Sequence, residues 1–150
     1  MKAIKLIAAC ALFALTGAAS AKTDTHVVIH GLSHHANARP NGQRWNEVNT
    51  GIGFRRELAS DLSAQVGFYR NSIDRNSVYA LSDWTPLQVG AISFGGFAGV
   101  ATGYKAHPVS VIGGVVARVQ IRRVSLALRM APKAGIGGSA VVSLEAGFSF

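Results

Sequence analysis

The sequence predicts an all-β protein, an eight-stranded antiparallel up-and-down outer-membrane β-barrel after a cleaved signal peptide. Three observations predict it. Apolar and polar residues alternate strictly over long segments, and the polar face of those segments carries full charges beside glycine. Beyond the N-terminus, no apolar run approaches the roughly 20 residues that a spanning helix needs.

Residues 1–21 carry Lys2 and Lys5 ahead of an apolar core from Leu6 to Leu15, then Ala19-Ser20-Ala21, the small-x-small pattern of a signal-peptidase site. This reads as a secretory signal peptide, too short and wrongly flanked for an anchor. Ile7-Ala8-Ala9-Cys10 falls too early in the apolar segment for a lipoprotein box. Cleavage after Ala21 removes Cys10, the single cysteine, so the barrel domain, 22–150, has no possible disulfide. Loss of Lys2 and Lys5 lowers the formal charge of +8 by two. The remaining basic residues stand singly or in pairs, such as Arg55-Arg56 and Arg122-Arg123, without the basic run and interleaved aromatics of a nucleic-acid binder. A basic exported monomer is matched instead to an anionic partner outside the cytoplasm, lipopolysaccharide or phospholipid.

The first strand is expected near 26–35, an apolar run that ends in His34-His35, and the second near 47–58, after Trp45-Asn46-Glu47. In the third, near 62–70, Leu62, Ala64, Val66 and Phe68 oppose Ser63, Gln65, Gly67 and Tyr69. The fourth, fifth and sixth are placed near 77–84, 88–103 and 109–118. In the seventh, near 121–130, Val124, Leu126, Leu128 and Met130 oppose Arg123, Ser125, Ala127 and Arg129. The eighth, near 139–150, sets Ala140, Val142, Leu144, Ala146, Phe148 and Phe150 on one face and ends in Phe-Ser-Phe, which resembles the C-terminal signal of bacterial outer-membrane proteins. A soluble sandwich also alternates. Charges on the polar face, and strands of the length that crosses a bilayer at a tilt, favour the barrel.

Connections after the odd strands are long, at 36–46, 71–76, 104–108 and 131–138. Those after the even strands are tight, around Ala59-Ser60-Asp61, Thr85-Pro86-Leu87 and Val119-Gln120. Outer-membrane barrels keep short turns in the periplasm and long loops outside. Trp45, Trp84, Tyr79 and Tyr104 lie near strand ends, where interfacial girdles place aromatics.

This topology gathers His34, His35, Asn46, Glu47, Tyr69, Asn71, Ser72, Asp74 and Ser77 at the outer mouth. A histidine base, a hydroxyl and amide or acid groups to orient them are the parts of acyl-transfer chemistry. A metal centre is not expected. Adjacent histidines on a strand point to opposite faces, and no second ligand set accompanies them.

His34-His35-Ala36, Trp45-Asn46-Glu47, Gly51-Ile52-Gly53-Phe54 and Gly67-Phe68-Tyr69-Arg70-Asn71-Ser72 resemble the PagP-type lipid A palmitoyltransferases, eight-stranded outer-membrane barrels. The resemblance implies transfer of a palmitoyl chain from phospholipid to lipid A at the outer leaflet, with no cofactor. It puts His35 in the place of the histidine and Ser72 in that of the serine, while Asn71 stands where the family has an acid. In this reading His35 or His34 deprotonates a hydroxyl, and Ser72 and Asn71 orient substrate or stabilise the oxyanion. Asn46, Glu47, Tyr69, Asp74 and Ser77 line the substrate, with Asp74 close enough in sequence to replace the acid.

Two tensions follow. Regular pleating turns His30 and His34 to one face, whereas the resemblance selects His35; a bulge near Gly31 would reconcile them. Parity also points Glu47, Asn49, Arg55, Glu57, Gln65, Tyr69, Arg123, Arg129 and Glu145 inward, whereas an acyl pocket is dry and apolar. A non-catalytic barrel with a surface-binding or envelope-structural role is the competing expectation. The two differ in whether an acyl-width cavity lies beside Ser72.

Overall fold

The computed structural model describes residues 24–104, 108–133 and 138–150. The expected signal peptide, 1–21, lies outside them. Strands β1 (Thr25–His35), β2 (Val48–Glu57), β3 (Leu62–Arg70), β4 (Asn76–Val89), β5 (Ile92–Thr102), β6 (Val109–Ile121), β7 (Val124–Ala131) and β8 (Val141–Ser149) pair antiparallel in chain order. β8 closes on β1, giving the expected eight-stranded barrel.

Period-two alternation becomes an apolar exterior and a largely polar interior, which also holds two apolar clusters, around Tyr79 and Leu81 and around Phe97 and Val116. Ile29, Phe54, Phe68, Leu87, Leu128 and Phe148 are exposed on the outside, while Arg55, Gln65, Asp83, Arg118, Arg129 and Glu145 are buried inside. So wide an apolar surface suits hydrocarbon rather than water, the arrangement of a transmembrane barrel.

Two turns lie further along the chain than the sequence predicts. β4 continues through Thr85-Pro86-Leu87 and turns at Gly90-Ala91, with Gly90 at φ 61°. Proline is tolerated there because pairing with β3 stops at Trp84, and the register against β5 shifts between Trp84 and Leu87. β6 likewise continues through Val119-Gln120 and turns at Arg122-Arg123. Arg123 is therefore an exposed turn residue and not a luminal one. These corrections leave the asymmetry of the connections intact, with short turns at one end and long segments at the other.

The aromatics also differ from expectation. Of Trp45, Trp84, Tyr79 and Tyr104, Trp84 is exposed on the outer face, with its Nε1–H donating to Asp61 Oδ2 at 3.0 Å. Tyr79 is luminal and buried because the paired Gly53 and Gly67 leave room for its hydroxyl; a Cβ on Gly67 would lie 2.8 Å from that oxygen. The hydroxyl meets His30 Nε2 at 2.7 Å and accepts from Gln65 Nε2 at 2.9 Å. Tyr104 pairs with Tyr69, hydroxyl to hydroxyl, at 3.0 Å.

Toward the short-turn end the lumen is filled by ions. Arg129 donates to both oxygens of Asp83, to Glu145 Oε1 at 2.8 Å and to Gln65 Oε1 at 3.3 Å, while Arg118 also donates to Asp83. Arg55 donates to Glu57 at 2.9 Å and to Ser125 at 3.2 Å. Three arginines thus face three carboxylates, each with hydrogen-bonding partners, the condition under which buried charge is tolerated.

Candidate active site

β1 and β3 bring the central pair together. The register of β1 shifts between His30 and Leu32 against β2, and between His30 and Ser33 against β8. This bulge at Gly31 flips the later pleat, so His30, Ser33 and His35 face inward while the His34 side chain is 79% exposed. Buried His35 places Nε2 3.0 Å from Ser72 Oγ.

Ser72 is fixed by the loop around it. Asn71 Oδ1 accepts the N–H groups of Ile73 and Arg75 at 3.0 and 2.9 Å, and Asn71 N–H donates to Arg75 O at 2.7 Å. Asn71 Nδ2 donates to Ser77 Oγ at 2.9 Å and to Gly103 O at 3.2 Å. This is asparagine acting as a turn organiser, with both oxygen and amide engaged. The Ser72 carbonyl accepts from Asn46 N–H at 2.9 Å, and Asn46 Nδ2 donates to Asn71 O at 3.1 Å. Asn71 therefore has no spare amide hydrogen for an oxyanion, and Ser77 is buried within the same support.

The acid beside the histidine is Glu47. Ser33 N–H donates to Glu47 O at 2.8 Å, folding the 36–47 segment back over the end of β1. Glu47 Oε1 then accepts from His35 N–H at 3.0 Å and lies 3.2 Å from His34 Nδ1 and 3.8 Å from His35 Nδ1. The backbone N–H of His35 holds the Glu47 carboxyl below the usual carboxylate range, so it carries charge at neutral pH. Asp74 faces solvent instead, where its hydrogen bond with Arg70, at 2.8 Å, lowers its pKa. It supplies no charge to His35. A move of about 1 Å by the Glu47 carboxylate would bring it within hydrogen-bond reach of Nδ1, the tightening that catalytic carboxylates undergo on binding substrate. If the His35–Ser72 pair acts on an ester, replacement Glu47→Gln lowers the rate of its cleavage by about 10²–10⁴-fold, measured as kcat on a lipid ester in mixed micelles.

Trp45 stacks on His35, ring centroids 4.7 Å apart and planes 13° from parallel. Its Nε1–H donates to Asn37 O at 2.6 Å, and the Arg39 guanidinium lies 5.3 Å from the indole. The indole therefore sets the plane of the imidazole. For the same reaction, Trp45→Ala is expected to cost about 2–10-fold in kcat/KM, the worth of one aromatic pair, and Trp45→Phe to recover most of it.

Inside the mouth lies a cavity of about 140 Å³. Ser72, Ser33 and Asn49 stand among the polar residues of its wall, Tyr69, Tyr104, Leu81, Phe97 and Ile112 supply aromatic and apolar surface, and Arg129 and Glu145 also border it. A cavity near 150 Å³ holds one benzene, so this one is several times too small for a sixteen-carbon chain. Ser33 Oγ is buried without a hydrogen-bond partner among the described residues.

The sequence points to His35, Ser72 and Glu47 but assigns Glu47 to substrate, because alternation carries no information on how the 36–47 loop folds back. Asp83 and Arg118 are not legible in it as luminal residues. Polar Ser82 and Asp83 straddle both faces of β4, and Gly113-Gly114 blurs the pattern of β6. Among the described residues, no group of three or more acidic or histidine side chains is placed to hold a metal.

No protein-family model and no curated protein matches the chain. Among solved structures, the outer membrane protein Ail of Yersinia pestis, determined in a phospholipid bilayer nanodisc, is similar at 11% identity and a TM-score of 0.49. That likeness covers 86% of this chain and 100% of that one.

Proposed function

We propose that this protein is an outer-membrane serine acyl-ester enzyme acting on lipid A or phospholipid at the outer leaflet. The observation that carries the reading is Ser72 Oγ at 3.0 Å from His35 Nε2, with Glu47 on the other side of the imidazole. In the Nδ1–H tautomer, Nε2 accepts the serine proton as Oγ attacks the ester carbonyl. The imidazolium then returns that proton to the leaving alkoxide, leaving an acyl-serine. Water, or a hydroxyl of an acceptor lipid, attacks the acyl-serine with Nε2 again taking the proton, and the serine is restored. The unpartnered Ser33 hydroxyl on the same cavity is a donor for the oxyanion.

Palmitoyl transfer with the chain held in the lumen, as the PagP resemblance implies, is the weaker form of the reading. The cavity is small, and the ions toward its far end cannot yield to an alkyl chain without losing their partners. The chain of the substrate lies along the apolar outer wall, and only the ester enters the mouth. The apolar exterior and the asymmetric connections support residence in the outer membrane with the long segments outward.

Mass spectrometry of lipid A and phospholipid from cells with and without the protein tests the proposal. A gain of deacylated or transacylated species is the expected result. An unchanged lipid profile together with no fluorophosphonate adduct on Ser72 sinks it, and leaves a binding or envelope-structural barrel, the reading favoured by the saturated hydrogen bonds of Asn71.

A further inference from the structure

The short-turn end of the barrel carries a feature with no part in the chemistry at Ser72. Where β6 turns into β7, Val119, Ile121, Val124 and Leu126 wall a concavity of about 580 Å³, with Arg122 and Arg123 in its lining. Ile121, Val124 and Leu126 are exposed and belong to the apolar outer face. Arg122 sits at φ 54°, in the left-handed region where hairpins ordinarily use glycine or asparagine. The turn is nevertheless pinned: Gln120 Nε2 donates to Arg122 O at 2.7 Å, and Ser149 N–H donates to Arg123 O at 2.9 Å. Both arginine side chains are exposed, and among the described residues neither guanidinium has a hydrogen-bond or ion-pair partner.

We propose that the β6–β7 turn is a binding site for an anionic phospholipid, with Arg122 and Arg123 taking the phosphate and the apolar walls taking the first part of an acyl chain. A guanidinium presents a planar fork that matches phosphate oxygens. Two of them at the end of an apolar wall, where the barrel leaves the hydrocarbon, complement a molecule that is anionic at one end and apolar beyond it. Free phosphate would leave the walls bare, and a neutral lipid would leave both charges unmatched. The site is at the opposite end from Ser72, so it stands whether or not the barrel is an enzyme.

Native mass spectrometry of the detergent-solubilised barrel tests it, with phosphatidylglycerol, diacylglycerol and inorganic phosphate as separate probes. Phosphatidylglycerol is expected to stay bound at concentrations where diacylglycerol does not, and excess inorganic phosphate is expected not to displace it. The double variant Arg122→Gln/Arg123→Gln should weaken retention about 10–30-fold. Arg75→Gln, at the other end, should leave it unchanged. Arg123→Gln alone leaves the left-handed position untouched and should give an intermediate loss even if the double variant folds poorly. Equal retention by wild type and Arg123→Gln, equal retention of diacylglycerol, or displacement by inorganic phosphate would each overturn the proposal.

Discussion

Ser72→Ala is expected to lower ester cleavage by at least about 10⁴-fold while the barrel still folds. The size follows from what the side chain does in the proposed reaction, since no other hydroxyl lies within hydrogen-bond distance of His35 Nε2 among the described residues. The tolerance of the fold follows from how the residue is held. Ser72 contributes its carbonyl to Asn46, and the loop is organised by Asn71, so removal of Oγ leaves every bond of the support in place. Two measurements read it together: release of fatty acid from a lipid ester in micelles, and the shift in electrophoretic mobility on heating that reports a folded barrel. Loss of both means the variant has misfolded, and His35→Ala then supplies the test. Retention of full activity in a folded Ser72→Ala protein removes the serine from the mechanism. A Ser72→Ala, His35→Ala double variant should be no slower than either single one, because base and nucleophile act as a unit.

Much of this fold is legible in the sequence, and the reason is physical. One face of each strand meets lipid and the other the packed, largely polar lumen, so Leu126, Leu128 and Met130 cannot exchange places with Ser125, Ala127 and Arg129 without a large cost. Strand number and the sidedness of the loops follow from that alternation. What it does not contain is pairing. The choice between His34 and His35 is made by the bulge at Gly31, which exists only in the registers of β1 with β2 and with β8. Glu47 becomes the acid beside His35 because Ser33 N–H captures its carbonyl, a contact across 14 residues of chain. Asn71 looks like a damaged acid in sequence and is the organiser of the serine loop in the structure. The turn at Arg122-Arg123 is missed for a related reason. Nothing in an arginine pair announces a left-handed residue, and the hairpin is held by Gln120 and Ser149 rather than by glycine.

The ions that close the lumen make the second strong prediction. Arg129→Met is expected to destabilise the barrel by about 3–5 kcal/mol, because it strands buried carboxylates that the guanidinium now satisfies. Asp83 keeps Arg118, so the loss falls mainly on Glu145, whose nearest remaining polar groups are Gln65 Nε2 at 3.1 Å and His30 Nδ1 at 3.6 Å. The sign depends on removing one partner alone. Replacing the network together, as Arg129→Met with Glu145→Gln and Asp83→Asn, leaves Arg118 as the main unmatched charge and should recover part of the loss. Arg129→Lys keeps the charge but lacks the fork that reaches Asp83, Glu145 and Gln65 at once, and should fall between the two. Urea unfolding in lipid vesicles, followed by tryptophan fluorescence, gives all three free energies on one scale. If Arg129→Met unfolds at the wild-type midpoint, the lumen is not held by these pairs. An acyl chain could then displace these ions from the lumen, since Arg129 and Glu145 border the cavity beside Ser72.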